Sequence, residues 1–197
     1  MEAPTRSRIS RRDAVLDGLV DLFLAEGFSS FSVEDLAARL RCSKSTLYDI
    51  APSKERLITA VVRTFFRTAT ERVEAETVTR TDPVEQIGAY LGAISRELAP
   101  ASAVFYADLQ SFAPAREIYS QNTAIAAGRV RRLVQAAAPA TSAQSAAFVG
   151  AVCAQTMASI QRGELEAMTG VDDATAYRLL ADLVVRGVTA APHPKAP

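Results

Sequence analysis

FSVEDLAARLRCSKSTLYDIAPSKERL, residues 31–57, sets short apolar-periodic runs between capping residues, the pattern of brief helices joined by tight turns. Ser32 followed three residues later by Asp35 is a capping-box signal. Val33, Leu36, Ala37 and Leu40 then repeat the spacing of one helix face over about two turns. Ser43 can cap the next start by accepting from a free backbone N–H, Leu47 points to a core, and Pro52 blocks continuation, so this helix is very short. Ser53 caps again. Leu57, Ile58, Val61, Val62, Phe65, Phe66 and Ala69 carry the pattern through a long helix ending near Thr79.

Upstream, Leu16, Leu19, Val20 and Phe23 give an amphipathic helix from Ser10 to Glu26, ended by Gly27. Downstream the chain reads as helices throughout: 83–98, 102–112, 115–137 between Pro114 and Pro139, 142–168 between Ser142 and Gly170, and 173–190. No strand signal and no internal repeat occurs, and the tail APHPKAP should be loose. The expected fold is all-α with about nine helices, counted from these runs. Residues 1–52 would form a three-helix head with a flexible arginine-rich N-terminal arm, and residues 53–197 a larger helical body.

With 197 residues, 49% of them hydrophobic and 22% charged, the chain is an ordinary globular protein able to bury a substantial core. No apolar run approaches the roughly 20 residues of a membrane span, and the basic start has no apolar signal core behind it. A cytoplasmic location without membrane association is the expectation. Cys42 and Cys153 stand far apart without metal-ligand spacing, and the single histidine, His193, lies in the tail. These inventories argue against a zinc site, a disulfide scaffold and histidine catalysis, so no cofactor, metal or enzymatic activity is expected. A carboxylate-bridged metal oxygenase would need Glu-x-x-His pairs on facing helices, and there are none.

The net charge of zero averages unlike segments. Arg6, Arg8, Arg11 and Arg12 make the start basic, whereas Asp13 to Ala38 contains acids and no lysine or arginine. Between Arg39 and Arg56 the sign reverses, with Arg41, Lys44 and Lys54 against Asp49 and Glu55. Helices of about eight residues are marginal alone, so both short helices must be held by their neighbours. Two helices joined by a tight turn, the second short and polar outside, describe a helix-turn-helix whose second member can enter a major groove about 12 Å wide. Ser43, Lys44, Ser45, Thr46 and Tyr48 offer hydroxyl and ammonium donors to base edges and phosphates. The arginine-rich start is either a solvated tail or an arm reaching an adjacent groove.

The stretch 31–57, preceded by Glu26, Gly27 and Phe28, resembles the DNA-binding head of TetR-family regulators. Leu36 and Ala37 match the family's aliphatic and alanine pair; Ser43, Thr46, Leu47, Tyr48, Ser53, Lys54, Glu55 and Leu57 fall in register with its pattern. The resemblance implies that Lys44 and Thr46 face bases or nearby phosphates, and that Tyr48, Lys54 and Ser32 clamp the phosphate backbone. It further implies a homodimer on a near-palindromic operator in double-stranded DNA, acting as a repressor released by a small apolar or amphipathic effector. Three residues depart from the pattern: Arg41 replaces the usual turn glycine, Asp49 a neutral or basic residue, and Ala51 a common phenylalanine. They motivate an alternative, a helical ligand-binding or interaction protein with weakened or lost DNA binding.

In the body, Phe65, Phe66, Tyr90, Phe105, Tyr106, Phe112, Tyr119 and Phe148 lie at helical spacings that suit a core. The polar residues Gln110, Asn122 and Gln155, interspersed with these and with Met157, also fit a mostly apolar effector pocket of the kind the resemblance implies. Ala147, Gly150, Ala151, Ala154 and Ala158 form a small-residue stripe, and the last helix offers Leu180, Leu183, Val184 and Gly187. The resemblance pairs these two helices with their copies across a two-fold axis; spacing alone fits packing within one chain equally well.

Overall fold

The computed structural model describes residues 4–189, without the side chains of residues 4–10, 173 and 174. Among the described residues ten α-helices follow one another: α1 Pro4–Glu26, α2 Val33–Arg39, α3 Lys44–Ile50, α4 Lys54–Thr77, α5 Pro83–Leu98, α6 Ala103–Ser111, α7 Ala113–Ala137, α8 Ala143–Gln161, α9 Glu164–Thr169 and α10 Asp173–Thr189. No strand occurs among the described residues, so the protein is all-α as expected.

Two boundaries differ from the sequence reading. The single helix expected over 142–168 is two, because Gly163 takes a left-handed φ of 69° that stops helical propagation at no steric cost to glycine. Helix α1 starts at Pro4 rather than Ser10. Proline suits a first helical position, since its fixed φ is already helical and its missing N–H would have had no partner there. The backbone read as a flexible arm is therefore helical from Pro4. The side chains of Arg6 and Arg8 lie outside the described residues, as does His193, while Arg11 and Arg12 are exposed.

The chain divides into two compact units, Met1–Arg67 with Ala101–Tyr119, and Thr68–Pro100 with Ser120–Pro197. The first unit centres on fully buried Leu19, Phe23, Phe28, Leu36, Leu47, Leu57, Phe105 and Leu109. Helix α2 commits Leu36 and Ala37 to this core, and α3 commits only Leu47. Burying one such leucine contributes about 1.5–3 kcal/mol, enough to hold a seven-residue helix that would not persist alone. The turn between α1 and α2 is gripped from far along the chain. Asp108 Oδ2 on α6 accepts from the N–H groups of Phe28 at 2.6 Å and Ser29 at 2.8 Å, and the Ser102 N–H donates to the Leu24 carbonyl at 2.8 Å. Gly27 is required there twice over: its φ is +75°, and a Cβ would stand 2.6 Å from Asp108 Oδ2 and 2.7 Å from Val104 Cγ1.

The second unit buries Ile87, Leu91, Val130, Leu133, Cys153, Ile160, Tyr177 and Leu180 in one cluster. Helix α10 packs on α5 and α8. Helices α7 and α8 approach closely, since a Cβ at Gly150 would lie 2.7 Å from the Ala127 carbonyl oxygen. Burial pushes the Cys153 thiol up to about 11, so it is an inert core group at neutral pH. Among the described residues no helix is long and apolar enough to cross a membrane, and no three His, Cys, Asp or Glu side chains form a metal-binding group.

Candidate nucleic-acid interface

Helix α2 begins with the capping box read from sequence. Ser32 Oγ accepts from the Asp35 N–H at 3.2 Å, while Asp35 Oδ2 accepts from the Ser32 N–H at 2.8 Å and from the Ser32 hydroxyl at 2.7 Å. These bonds from the Ser32 hydroxyl and then its backbone hold the Asp35 carboxyl below the usual aspartate range. Both hydrogen-bonding groups of Ser32 therefore serve the cap. At the other end Arg39 makes a two-pronged pair with Glu26, at 2.6 and 3.0 Å, and its guanidinium carbon lies 5.5 Å from the Phe31 ring centre. This ties α2 back to α1.

The connection to α3 is tight. The Arg41 N–H donates to the Ala38 carbonyl at 3.2 Å and the Cys42 N–H to the Ala37 carbonyl at 3.0 Å. Arg41 itself has φ 50°, the left-handed conformation for which glycine is the usual residue. Cys42 is half-buried. Ser43 is in extended backbone and caps α3 by accepting from the Thr46 N–H at 3.2 Å; its hydroxyl also lies 2.7 Å from Ser45 Oγ and 2.9 Å from Thr46 Oγ1. With Leu47 turned inward, α3 leaves Lys44, Ser45, Tyr48 and Asp49 exposed and Thr46 half-buried. Tyr48 is 50% exposed, a large apolar ring with a hydroxyl standing in solvent. Ala51, buried, ends the helix in extended backbone.

Two of the cations here have partners inside the head. Lys44 Nζ donates to Glu34 Oε1 at 2.6 Å, bridging α3 to α2, and this bond holds the Glu34 carboxyl below its ordinary range. Lys54 Nζ, at the start of α4, donates to the Ser29 carbonyl at 3.0 Å. The residues nominated for DNA thus gather on one short helix and the starts of the two flanking it, but Ser32, Lys44 and Lys54 hold local contacts. Nothing in the sequence pattern marks Glu34 as a partner for Lys44, or Ser102 and Asp108 as supports of the head. The first is a ten-residue separation across a turn, and the others lie some eighty residues away from what they hold.

The nominated effector residues fall into two groups. In the first unit, Phe65, Phe66, Phe105, Tyr106, Phe112 and Tyr119 join a network of ring contacts with Phe28, including Phe65 to Phe105 at 5.9 Å, Phe66 to Tyr119 at 5.9 Å and Phe28 to Phe112 at 6.2 Å. Gln110 is half-buried nearby, its carbonyl accepting from Arg116 at 2.8 Å. In the second unit, Tyr90 and Met157 are core, and Asn122 Oδ1 accepts from the Thr70 hydroxyl at 3.5 Å. Phe148 and Gln155 instead face outward from α8, Phe148 being 70% exposed. A groove of about 930 Å³ does exist in this unit, lined by Val134, Phe148, Val152, Leu180, Leu183 and Val188 among others. Of the twelve nominated residues only Phe148 lines it.

The nominated dimer residues also separate. Ala147, Ala151, Leu183 and Gly187 are exposed and Ala154 and Ala158 half-buried, whereas Gly150, Leu180 and Val184 are buried within the second unit. The outward stripe also includes Val152 and Leu179, which were not nominated.

Residues 15–61 match the family model described as bacterial regulatory proteins, tetR family. No curated protein matches the chain. Solved structures share its fold over nearly their whole length. A TetR-like transcriptional regulator from Rhodococcus sp. RHA1 is 20% identical with a TM-score of 0.65, over 91% of this chain and 96% of that one. A TetR-family transcriptional regulator from Streptomyces coelicolor is 17% identical with a TM-score of 0.67, over 96% and 97%. A protein from Saccharomonospora viridis described as a transcriptional regulator, in complex with choline, is 16% identical with a TM-score of 0.65, over 89% and 96%. Residues 15–61 thus match the tetR-family model, and the chain shares its overall fold with these solved structures.

Proposed function

We propose that this protein is a cytoplasmic, homodimeric transcriptional repressor that binds a near-palindromic operator and is released by a small apolar or amphipathic molecule. The observation that carries the reading is α3: a capped, seven-residue helix in a tetR-family head, with Lys44, Ser45 and Tyr48 turned to solvent. In this reading Lys44 and Thr46 face bases or adjacent phosphates, while Tyr48, Lys54 and the α2 start at Ser32 hold the phosphate backbone. Arg11 and Arg12, exposed on α1, add positive charge to the same head.

One such helix reads few bases, and a two-fold pair about 34–36 Å apart matches successive major grooves. Pairing through α8 and α10 is supported by their outward Phe148, Val152, Leu179 and Leu183, and by the absence of any charged residue from α8. Exposed apolar surface of this extent is a mark of an interaction face. Effector binding belongs to the body, residues 53–197, and DNA binding to residues 1–52. The choline complex of a similar fold supports a small-molecule ligand. Helix α4 contributes residues to both units, so an effector that favours one position of α4 would change head spacing only as far as its affinity differs between the two states. Fluorescence anisotropy on operator DNA with Lys44→Ala and Tyr48→Phe tests the assignment of α3: unchanged affinity in both defeats it, whereas a wild type that retains no DNA at low salt favours the alternative of a helical ligand-binding or interaction protein with weakened or lost DNA binding.

A further inference from the structure

Arg41 is the one non-glycine with a positive φ among the described residues; the others are Gly27, Gly163 and Gly170. A side chain is strained in that region, and glycine would make the same turn without the strain. Strain held at an exposed position asks what the side chain does there.

The neighbouring cations sharpen the question. Arg39 is paired with Glu26, Lys44 with Glu34, and Lys54 with the Ser29 carbonyl. Arg41 is exposed and its side chain takes part in no hydrogen bond or ion pair among the described residues. It stands two residues before the Ser43 cap of α3. Arg11 shares this corner: burial pushes the Cys42 thiol up, and the Arg11 guanidinium pulls it back. An exposed guanidinium without a partner among the described residues, held in a strained turn that glycine would make freely, stands two residues before the cap of α3.

We propose that Arg41 contacts a phosphate of the DNA backbone beside the groove α3 enters, a contact that a glycine at this turn cannot make. The proposal rests on the DNA-binding reading above. A guanidinium matches phosphate geometry with two parallel hydrogen bonds. Such a contact carries no sequence information, so it acts on any duplex and appears as salt dependence.

The test uses the full-length protein and a fluorescein-labelled random-sequence DNA duplex, titrated by anisotropy over a range of salt, for wild type, Arg41→Lys, Arg41→Gln and Arg41→Gly. Arg41→Gln and Arg41→Gly should bind on the order of tenfold more weakly per engaged head near ~0.1 M salt, with the salt slope smaller by about 0.9 per head. Arg41→Lys should retain the slope. Thermal melting should show every variant folded, with Arg41→Gly melting no lower than wild type because it relieves the strain. If wild type binds the duplex while Arg41→Gln and Arg41→Gly keep its affinity and slope, the role of Arg41 is overturned and the DNA-binding reading stands. A wild type that leaves the duplex unbound at low salt overturns the DNA-binding reading and the Arg41 contact with it.

Discussion

The Lys44 ammonium sits 2.6 Å from Glu34 Oε1, so in the proposed function a DNA phosphate would have to compete with an acid of the same head for the one lysine on α3. Both side chains are more than half exposed, and an ion pair in that setting is worth little in stability. Its consequence lies in binding instead. Glu34→Gln should free Lys44 and remove a negative charge from the DNA-facing side, raising affinity for duplex DNA about threefold, more at low salt than at high. Anisotropy titrations at two ionic strengths would check this, and equal or weaker binding by Glu34→Gln would place Lys44 away from DNA. At the neighbouring turn, the resemblance to the family pattern marked Arg41 as standing where glycine is usual, and the backbone there is left-handed, with φ 50°. The Ala38 and Ala37 carbonyls, each accepting from the turn, hold that geometry whichever side chain is present.

Helices α2 and α3 are set by their caps, and caps are local. Ser32, Asp35 and Ser43 could therefore be read directly from the chain, along with the apolar positions that α2 and α3 bury. Ser32→Ala should cost about 1 kcal/mol of stability by urea denaturation. Because Asp35 is held below the ordinary aspartate range in the folded state, its support is present above that range and fades as pH falls through the depressed value. The gap between wild type and Ser32→Ala should accordingly narrow in acid. The support that α6 gives the α1–α2 turn was not legible, because Asp108 and the amides it receives are joined only by the fold. Asp108→Ala should leave two N–H groups without their acceptor and lower stability by about 1–3 kcal/mol, read by the same denaturation. The helix expected over 142–168 failed at Gly163 because a mid-helix glycine and a left-handed stop look alike until the backbone is seen.

At the scale of the molecule, the small-residue stripe on α8 was read as one surface and proves to be two. Gly150 lies against α7, while Ala147 and Ala151 share the outward side with Phe148 and Val152. Helical periodicity gives which residues share a face, but not whether the neighbour is the same chain or another. If the outward face joins two copies, Phe148→Glu or Leu183→Glu should convert the dimer to a folded monomer by light scattering and weaken DNA binding, since two linked heads bind far better than one. A dimer surviving both changes would move the interface elsewhere. The central claim, that α3 is the element offered to DNA, is tested most directly by anisotropy of the full-length protein on a labelled duplex from the region upstream of its own gene. Lys44→Ala and Tyr48→Phe should each weaken binding at constant fold, with Lys44→Ala also reducing the salt slope by about 0.9 per head; wild-type affinity and slope in both variants would contradict the account.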